Sequence, residues 1–522
     1  MKNKNRSLIF TSALLVICAL GCNKDPLDQH PIGKYTTENY WRNEADVLAG
    51  INGVYNALYS NDWMGHEMYV FGDQSQNIAV KGDHPDYILV GNLHADPTLL
   101  VLSSVWDGAY EQIARANNAI MAIPNVPPGI NEDIRNRSLG EAYFLRAYAY
   151  FQLNLIFGEV PLILEENVLT NSYNIAKSSI DSVRAQVESD LLKAFDLLPE
   201  SYDAADKGRV SKGTAAGVLC KLYMVEDKFD KAIEYGSKVV NSSNYALAPN
   251  YADNFTSGRQ EANTELLFQI MNHSQQTPNT QSSEWGIYYA PRAWQGWGFH
   301  HPTQNFVDEF GPNDTIRKKA TFLAVGDSIP NQTNLITIDA SNAYQMFAGK
   351  VGEQTGRLLP SMTTTGYVLR KFVAYESDGS GQIDRGLKEP ILRSADIYLL
   401  VAEAKIRLNG PGSGDAEINA VRARVNLDPV ANAGMPELIH ERIVELGGEN
   451  IIWQDQLRWD KDKIINLDTI VDKPRMSSPL PPYNHSVVVP ARVFTRPKDY
   501  YMPIPQKIID QSGGVITQNP NY

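Results

Sequence analysis

The chain has almost no cysteine: three residues in 522, at positions 18, 22 and 220. That excludes a disulfide-stapled scaffold and a zinc site built on clustered cysteines. An excess of basic charge is also missing. The net charge is −13, the opposite of the positive footprint that nucleic-acid binding requires. Long hydrophobic runs are absent as well. The most apolar stretch is residues 8–20, LIFTSALLVICAL, which is too short to span a bilayer. No Gly-x-Ser-x-Gly, His-Glu-x-x-His or phosphate-loop pattern occurs, so three common kinds of catalytic or nucleotide site have no signature here.

What is present begins at the N-terminus. Lys2, Lys4 and Arg6 precede the apolar stretch, which ends in Ala19-Leu20-Gly21-Cys22. A basic n-region, a short apolar core and a small residue before a cysteine read as a lipoprotein signal peptide over 1–21, with Cys22 as the lipidated residue. Ala19 stands where the lipobox usually has Leu. Removing residues 1–21 takes the net charge from −13 to −16. Lipidation of Cys22 would leave Cys220 alone, so no intramolecular disulfide forms.

Helical periodicity governs the following 220 residues. Asn43 is a helix N-cap followed by acids, and Val47, Leu48, Ile51, Val54, Tyr55 and Leu58 recur at helical spacing. A second helix is expected over 105–123 and a third over 134–157, with Gly158 as its stop. Tyr143, Tyr150 and Phe157 form a stripe on that helix, which fits core packing. In 216–240, Cys220, Tyr223, Phe229 and Ala232 match the small-and-aromatic pattern of a tetratricopeptide helix pair. Residues 395–424 read as another pair. The expected fold class is therefore mainly α, with tetratricopeptide-like helix pairs in a superhelix. The stretches 245–390 and 465–522 are rich in Gly, Pro, Asn, Ser and Thr. They read as a loop-rich, irregular subdomain with short strands, for example in 366–375. The expected division is 22–245 and 246–522.

The irregular region holds PRAWQGWGFHHP, residues 291–302. Trp285, Tyr288, Tyr289, Trp294 and Trp297 crowd together there, with Arg292 and Gln295 as polar neighbours. Such a run is either a folded-over core loop or an aromatic platform for a ligand. The adjacent His300 and His301 diverge and lack further ligands at metal spacing, so no metal site is read from them. Trp63, beside Tyr69 and Phe71, is a further platform candidate.

Several segments together resemble the SusD/RagB family of outer-membrane nutrient-binding lipoproteins. They are LRAYAYFQLNLIFGEVPLI (145–163), GRVSKGTAAGVLCKLYM (208–224), LRSADIYLLVAEAKIRLNG (392–410), INAVRAR (418–424) and YYMPIP…ITQNPNY (500–522). One stretch departs from the family pattern: Phe-Glu-Gly-x-Arg is here Gly448-Glu449-Asn450-Ile451-Ile452. The resemblance implies four helix pairs supporting an irregular subdomain. It implies glycan binding at the cell exterior without cleavage, with ligand contacts near Trp285, Tyr288, Tyr289, Arg292, Trp294, Trp297 and Trp63, and no cofactor. It further implies a SusC-like TonB-dependent barrel transporter as partner, over which the lipoprotein acts as a lid. A peptide- or glycoprotein-binding lid is the alternative, and a glycoside hydrolase a more distant one.

The Cys22 anchor has a direct test. Several acyl chains hold a protein on a membrane where one does so only marginally. Cys22→Ala is expected to release the protein or leave an uncleaved precursor in cell fractionation. Recovery of normally processed, membrane-bound protein would refute the lipobox assignment.

Overall fold

The computed structural model describes residues 40–65, 67–74, 78–80, 84–170, 172–203, 205–272, 285–291, 296–327, 358, 360–373 and 386–522. Ten longer helices carry the described architecture: α1 (Glu44–Asn56), α2 (Leu100–Ala122), α3 (Glu132–Phe157), α4 (Ile180–Leu197), α5 (Lys212–Val225), α6 (Phe229–Val240), α7 (Ser394–Asn409), α8 (Asp415–Ala423), α9 (Met435–Leu446) and α10 (Ile452–Lys461). From α2 to α8 each helix packs against the next, so the chain builds a helical superhelix. The join between α6 and α7 spans a gap of more than 150 residues in sequence, so both halves of the chain share one helical stack.

Local chemistry sets the helix ends. The Asn43 side chain accepts from the Asp46 amide at α1, with Glu44 and Asp46 in the first turn. Asn131 caps α3 by accepting from the Asp133 amide, which starts that helix two residues before the periodicity does. At its other end Gly158 adopts φ +75°. A Cβ there would lie 3.2 Å from the Tyr501 ring, so left-handed geometry and close approach both call for glycine. Beyond Gly140, α3 is buried on almost every side, which is the signature of a central helix.

The pair α5 and α6 is joined by residues 226–228, too few for anything but an antiparallel hairpin. Cys220 on α5 is fully buried. A Cβ on Gly236 of α6 would come within 3.0 Å of its Sγ and 2.4 Å of Val401 on α7. Small residues at this crossing let three helices meet, and the thiol packs as a small apolar group.

The irregular part contributes β1 (Ile78–Val80), β2 (Leu266–Ile270), β3 (His300–Pro302), β4 (Phe322–Ala324), β5 (Tyr367–Leu369), β6 (Glu389–Arg393), β7 (Arg475–Met476) and β8 (Val487–Val489). Among the described residues these form two-stranded antiparallel pairs β1–β3, β2–β6, β4–β5 and β7–β8. Strand β6 runs straight into α7, with Arg393 as the N-cap residue.

Arg393 is 1% exposed and lies within a buried ionic network. It donates to Glu265 Oε1 (2.5 Å), Glu445 Oε1 (3.0 Å) and both oxygens of Glu449 (2.8 and 2.9 Å). Arg424 also donates to Glu265 and Glu445, Lys371 to Glu449, and Arg317 to Asp314, Glu441 and Glu445. With Arg422 on Glu441, five cations meet five carboxylates. Glu449 belongs to the stretch that departs from the Phe-Glu-Gly-x-Arg pattern. Arg393 and Lys371 supply its cations, while Ile452, in the place of the pattern's Arg, is buried among apolar side chains. Asn450 stands at the pattern's Gly and keeps φ +60°, a conformation that Asn tolerates better than most residues.

Burial alone would raise the carboxyl of Glu445, but the Arg424, Arg393 and Arg317 guanidiniums outweigh it and hold it well below the ordinary range. Glu265 and Glu403 are lowered in the same way, by Arg424 and by Arg458 respectively. A depressed folded-state value contributes stability above the unfolded value and loses it as pH falls. Unfolding is therefore expected to ease sharply as pH drops below about 4, measured by denaturant midpoints across pH. Arg393→Met takes one cation from three buried carboxylates, leaving Arg424 and Lys371 to hold them, and is expected to cost about 3 to 5 kcal/mol. An unchanged midpoint would show that the network contributes nothing to stability.

Candidate functional site

Trp285–Tyr289 forms a single helical turn. The strap 296–299 returns alongside it. Amides of Trp297, Gly298 and Phe299 donate to the carbonyls of Ile287 (2.6 Å), Ala290 (2.8 Å) and Tyr288 (2.9 Å). Gly296 approaches so closely that a Cβ would sit 2.1 Å from the Ala290 carbonyl oxygen, and Gly298 has φ +65°. The two glycines thus press the strap onto the turn. Trp297, between them, stays 46% exposed.

Its ring is not loose. It lies 5.5 Å from Tyr288 at 39° and 5.4 Å from Phe299 at 78°. Phe299 in turn meets Tyr87 edge-on at 5.7 Å. An indole fixed from below by other rings and open to solvent above is a preorganised stacking surface.

The other aromatic candidates have different surroundings. Trp285 is 1% exposed and stands edge-on to Phe372 at 4.6 Å. Tyr289 is equally buried, against Phe372 and His300. Trp63 is wholly buried; its Nε1 donates to Gln112 (2.6 Å), whose amide donates to the Leu145 carbonyl. These three rings belong to the core and offer no face to solvent. Tyr288 is half-buried beneath Trp297. Arg292, Trp294, Gln295 and Cys22 lie outside the described residues. Phe299 supports Trp297, and Tyr87 backs Phe299; neither was among the expected site residues. Phe299 sits in the same aromatic run, whereas nothing in the sequence tied Tyr87 to it.

His300 and His301 are buried in β3, opposite Val80 and Ala79. The Thr364 amide donates to His301 Nδ1 (3.3 Å), giving that nitrogen a structural partner. Among the described residues no group of three or more His, Cys, Asp or Glu is arranged to hold a metal ion. No helix among them is long and apolar enough to cross a membrane.

Two family profiles match the chain. One, described as "Starch-binding associating with outer membrane", covers residues 29–224; the other, the SusD family, covers 264–522. The chain belongs to the SusD family. A "SusD-like protein" of Bacteroides ovatus is 25% identical over 492 residues, spanning 89% of this chain and 84% of that one. The "Starch-binding protein SusD" of Bacteroides thetaiotaomicron is 24% identical over 333 residues, 56% of this chain and 58% of its own. Among solved structures, a "Laminarin binding SusD-like protein" superimposes with TM-score 0.72 at 24% identity, covering 92% of this chain and all of that one. The SusD fold thus accounts for the helical superhelix and for the irregular region that it carries.

The burial pattern separates two tryptophans by experiment. Trp285→Ala opens a cavity in the core and is expected to cost about 3 to 5 kcal/mol, lowering the melting temperature. Trp297→Ala removes an exposed ring and should leave that temperature within a degree or two. Equal losses in both variants would place Trp297 in the core as well.

Proposed function

We propose that this protein is a cell-surface glycan-binding lipoprotein that captures oligo- or polysaccharide without cleaving it and delivers it to a TonB-dependent barrel transporter. The observation that carries the reading is Trp297, exposed yet held on Tyr288 and Phe299. A pyranose ring has an apolar C–H face and a hydroxylated rim. Stacking buries the face, and neighbouring polar groups serve the rim. Relatives and structural neighbours named for binding starch, laminarin and surface glycans support this ligand class. The outer-membrane association in the family description, with the expected anchor at Cys22, supports capture at the membrane.

Capture without chemistry also suits the charge arrangement. Glu265, Glu445 and Asp396 are engaged by cations and lowered in pKa, and Glu141, which burial raises to about 7, is wholly enclosed and bonded to Arg209 and Tyr202. An oligosaccharide incubated with the protein should be retained at unchanged length.

Stacking hot spots cost about 2 kcal/mol or more on truncation, which is roughly 30-fold in affinity. Titration of Trp297→Ala with the glycan selected by an array is expected to show at least that loss, with folding intact. Undiminished binding would remove Trp297 from the site. For the partner, a mild detergent extract at native expression is expected to yield the protein together with a large barrel. Recovery as a free monomer alone would count against the transporter assignment.

A further inference from the structure

A cleft lies on the helical side of the molecule. It has a volume of about 630 Å³ and is walled by α3, α4, α5, α10 and the 64–72 segment. That volume falls in the range of small-molecule pockets, about 300 to 1,000 Å³. Neither Trp297 nor the Tyr288 and Phe299 rings beneath it line this cleft. The cleft and the Trp297 surface therefore share none of these rings.

The floor is apolar and well packed. Leu155, Val225, Ile391 and Ile451 line it and are partly exposed, with Phe71, Phe151, Met64 and Met224 buried behind them. The rim is polar and structurally continuous. Arg184 Nε donates to Asn154 Oδ1 (3.0 Å), Asn154 Nδ2 donates to the Gly158 carbonyl (2.8 Å), and Gly158 abuts the Tyr501 ring. Lys461 Nζ donates to Tyr501 Oη (3.1 Å) and sits 4.4 Å from that ring's centroid.

Most charges around the rim are paired within the protein. Lys177 answers Glu159, and Asp396 answers Lys221. Asp227 and Asp462 share the single guanidinium of Arg407. Arg184 and Lys461 have no carboxylate partner among the described ion pairs, and Asp181 has no cation. With most of these charges answered inside the protein, no cluster of one sign is left to select an ion. A purely aliphatic ligand would cover Arg184 and Lys461 without serving them, at a desolvation cost. A neutral molecule with an apolar face and a hydroxylated edge satisfies both floor and rim.

We propose that this cleft is a second binding site for a neutral oligosaccharide, distinct from the Trp297 platform. The ligand class rests on the glycan-binding reading above. Two sites on one rigid body would let a single long chain be gripped at separate points, raising retention by effective concentration without stronger individual contacts.

The test is calorimetric titration of the detergent-solubilised full-length protein with maltoheptaose, laminarihexaose, xylohexaose and mannohexaose. The variants are Trp297→Ala, the pair Arg184→Ala with Lys461→Ala, and Ile180→Trp, which narrows the cleft from its rim without removing a polar partner. Two glycan equivalents per wild-type chain are expected for at least one probe. One should remain in Trp297→Ala, one in either cleft variant, and none when the changes are combined. Cleft variants that melt normally and keep full stoichiometry would overturn the second site, as would loss of all binding in Trp297→Ala. Loss of all binding in the cleft variants with none in Trp297→Ala would sustain the cleft and refute the platform. A wild-type chain that binds none of the four probes overturns both.

Discussion

Arg393 ends a strand, caps a helix and sits almost wholly out of water. Its guanidinium cannot be left unpaired there, and Glu265, Glu445 and Glu449 converge on it from two distant parts of the chain. That requirement fixes β2, the end of α9 and the turn after it relative to α7. The α5–α6–α7 stack and the irregular strands meet at this point. A second set of buried pairs extends the same device. Arg442 bonds to Asp396 and Asp455, and Arg458 to Glu403 and Asp455, tying α7, α9 and α10 together. Such networks need not add much net stability, because desolvation offsets much of the Coulomb gain. Their directional bonds specify which elements meet and at what angle.

The rigidity matters for the exposed tryptophan. Stacking surfaces work when the ring is held before the ligand arrives, since less freedom is then lost on binding. Trp297 receives that support from Tyr288 and Phe299 and from three backbone hydrogen bonds of its strap. Trp285, two turns of chain away in sequence, makes the opposite use of the same chemistry: its ring fills space against Phe372. One aromatic run therefore supplies both a core and a surface.

The helices were largely legible. Period, caps and stops located α1, α3, α5, α6 and α7 closely, and the Gly158 stop holds because no side chain fits there. Helix α2 begins at Leu100, earlier than its periodic stretch indicates, and there the Val101 amide donates to the Asp86 carboxylate. The small-residue slot at Cys220 was readable because helix crossings demand small side chains at fixed spacing. The strand pairs were less so. Segments of two to five residues carry too little alternation, and their partners lie far away in sequence.

Sequence alone determined the helical class, the lipobox at Cys22 as an expectation, and the concentration of aromatics in 285–299. It also placed Glu445, Asp455, Arg458 and Trp459 at family positions, since local pattern and residue identity are linear properties. Only the tertiary structure decided which rings are buried. Trp63, Trp285 and Trp297 are chemically identical, and their exposure depends on what folds over them: Gln112 and the close approach at Gly108 over the first, Phe372 against the second, while the third stays 46% exposed among the described residues. The cleft between α3, α4, α5 and α10 was equally invisible, because it is a space between elements brought together by long-range packing.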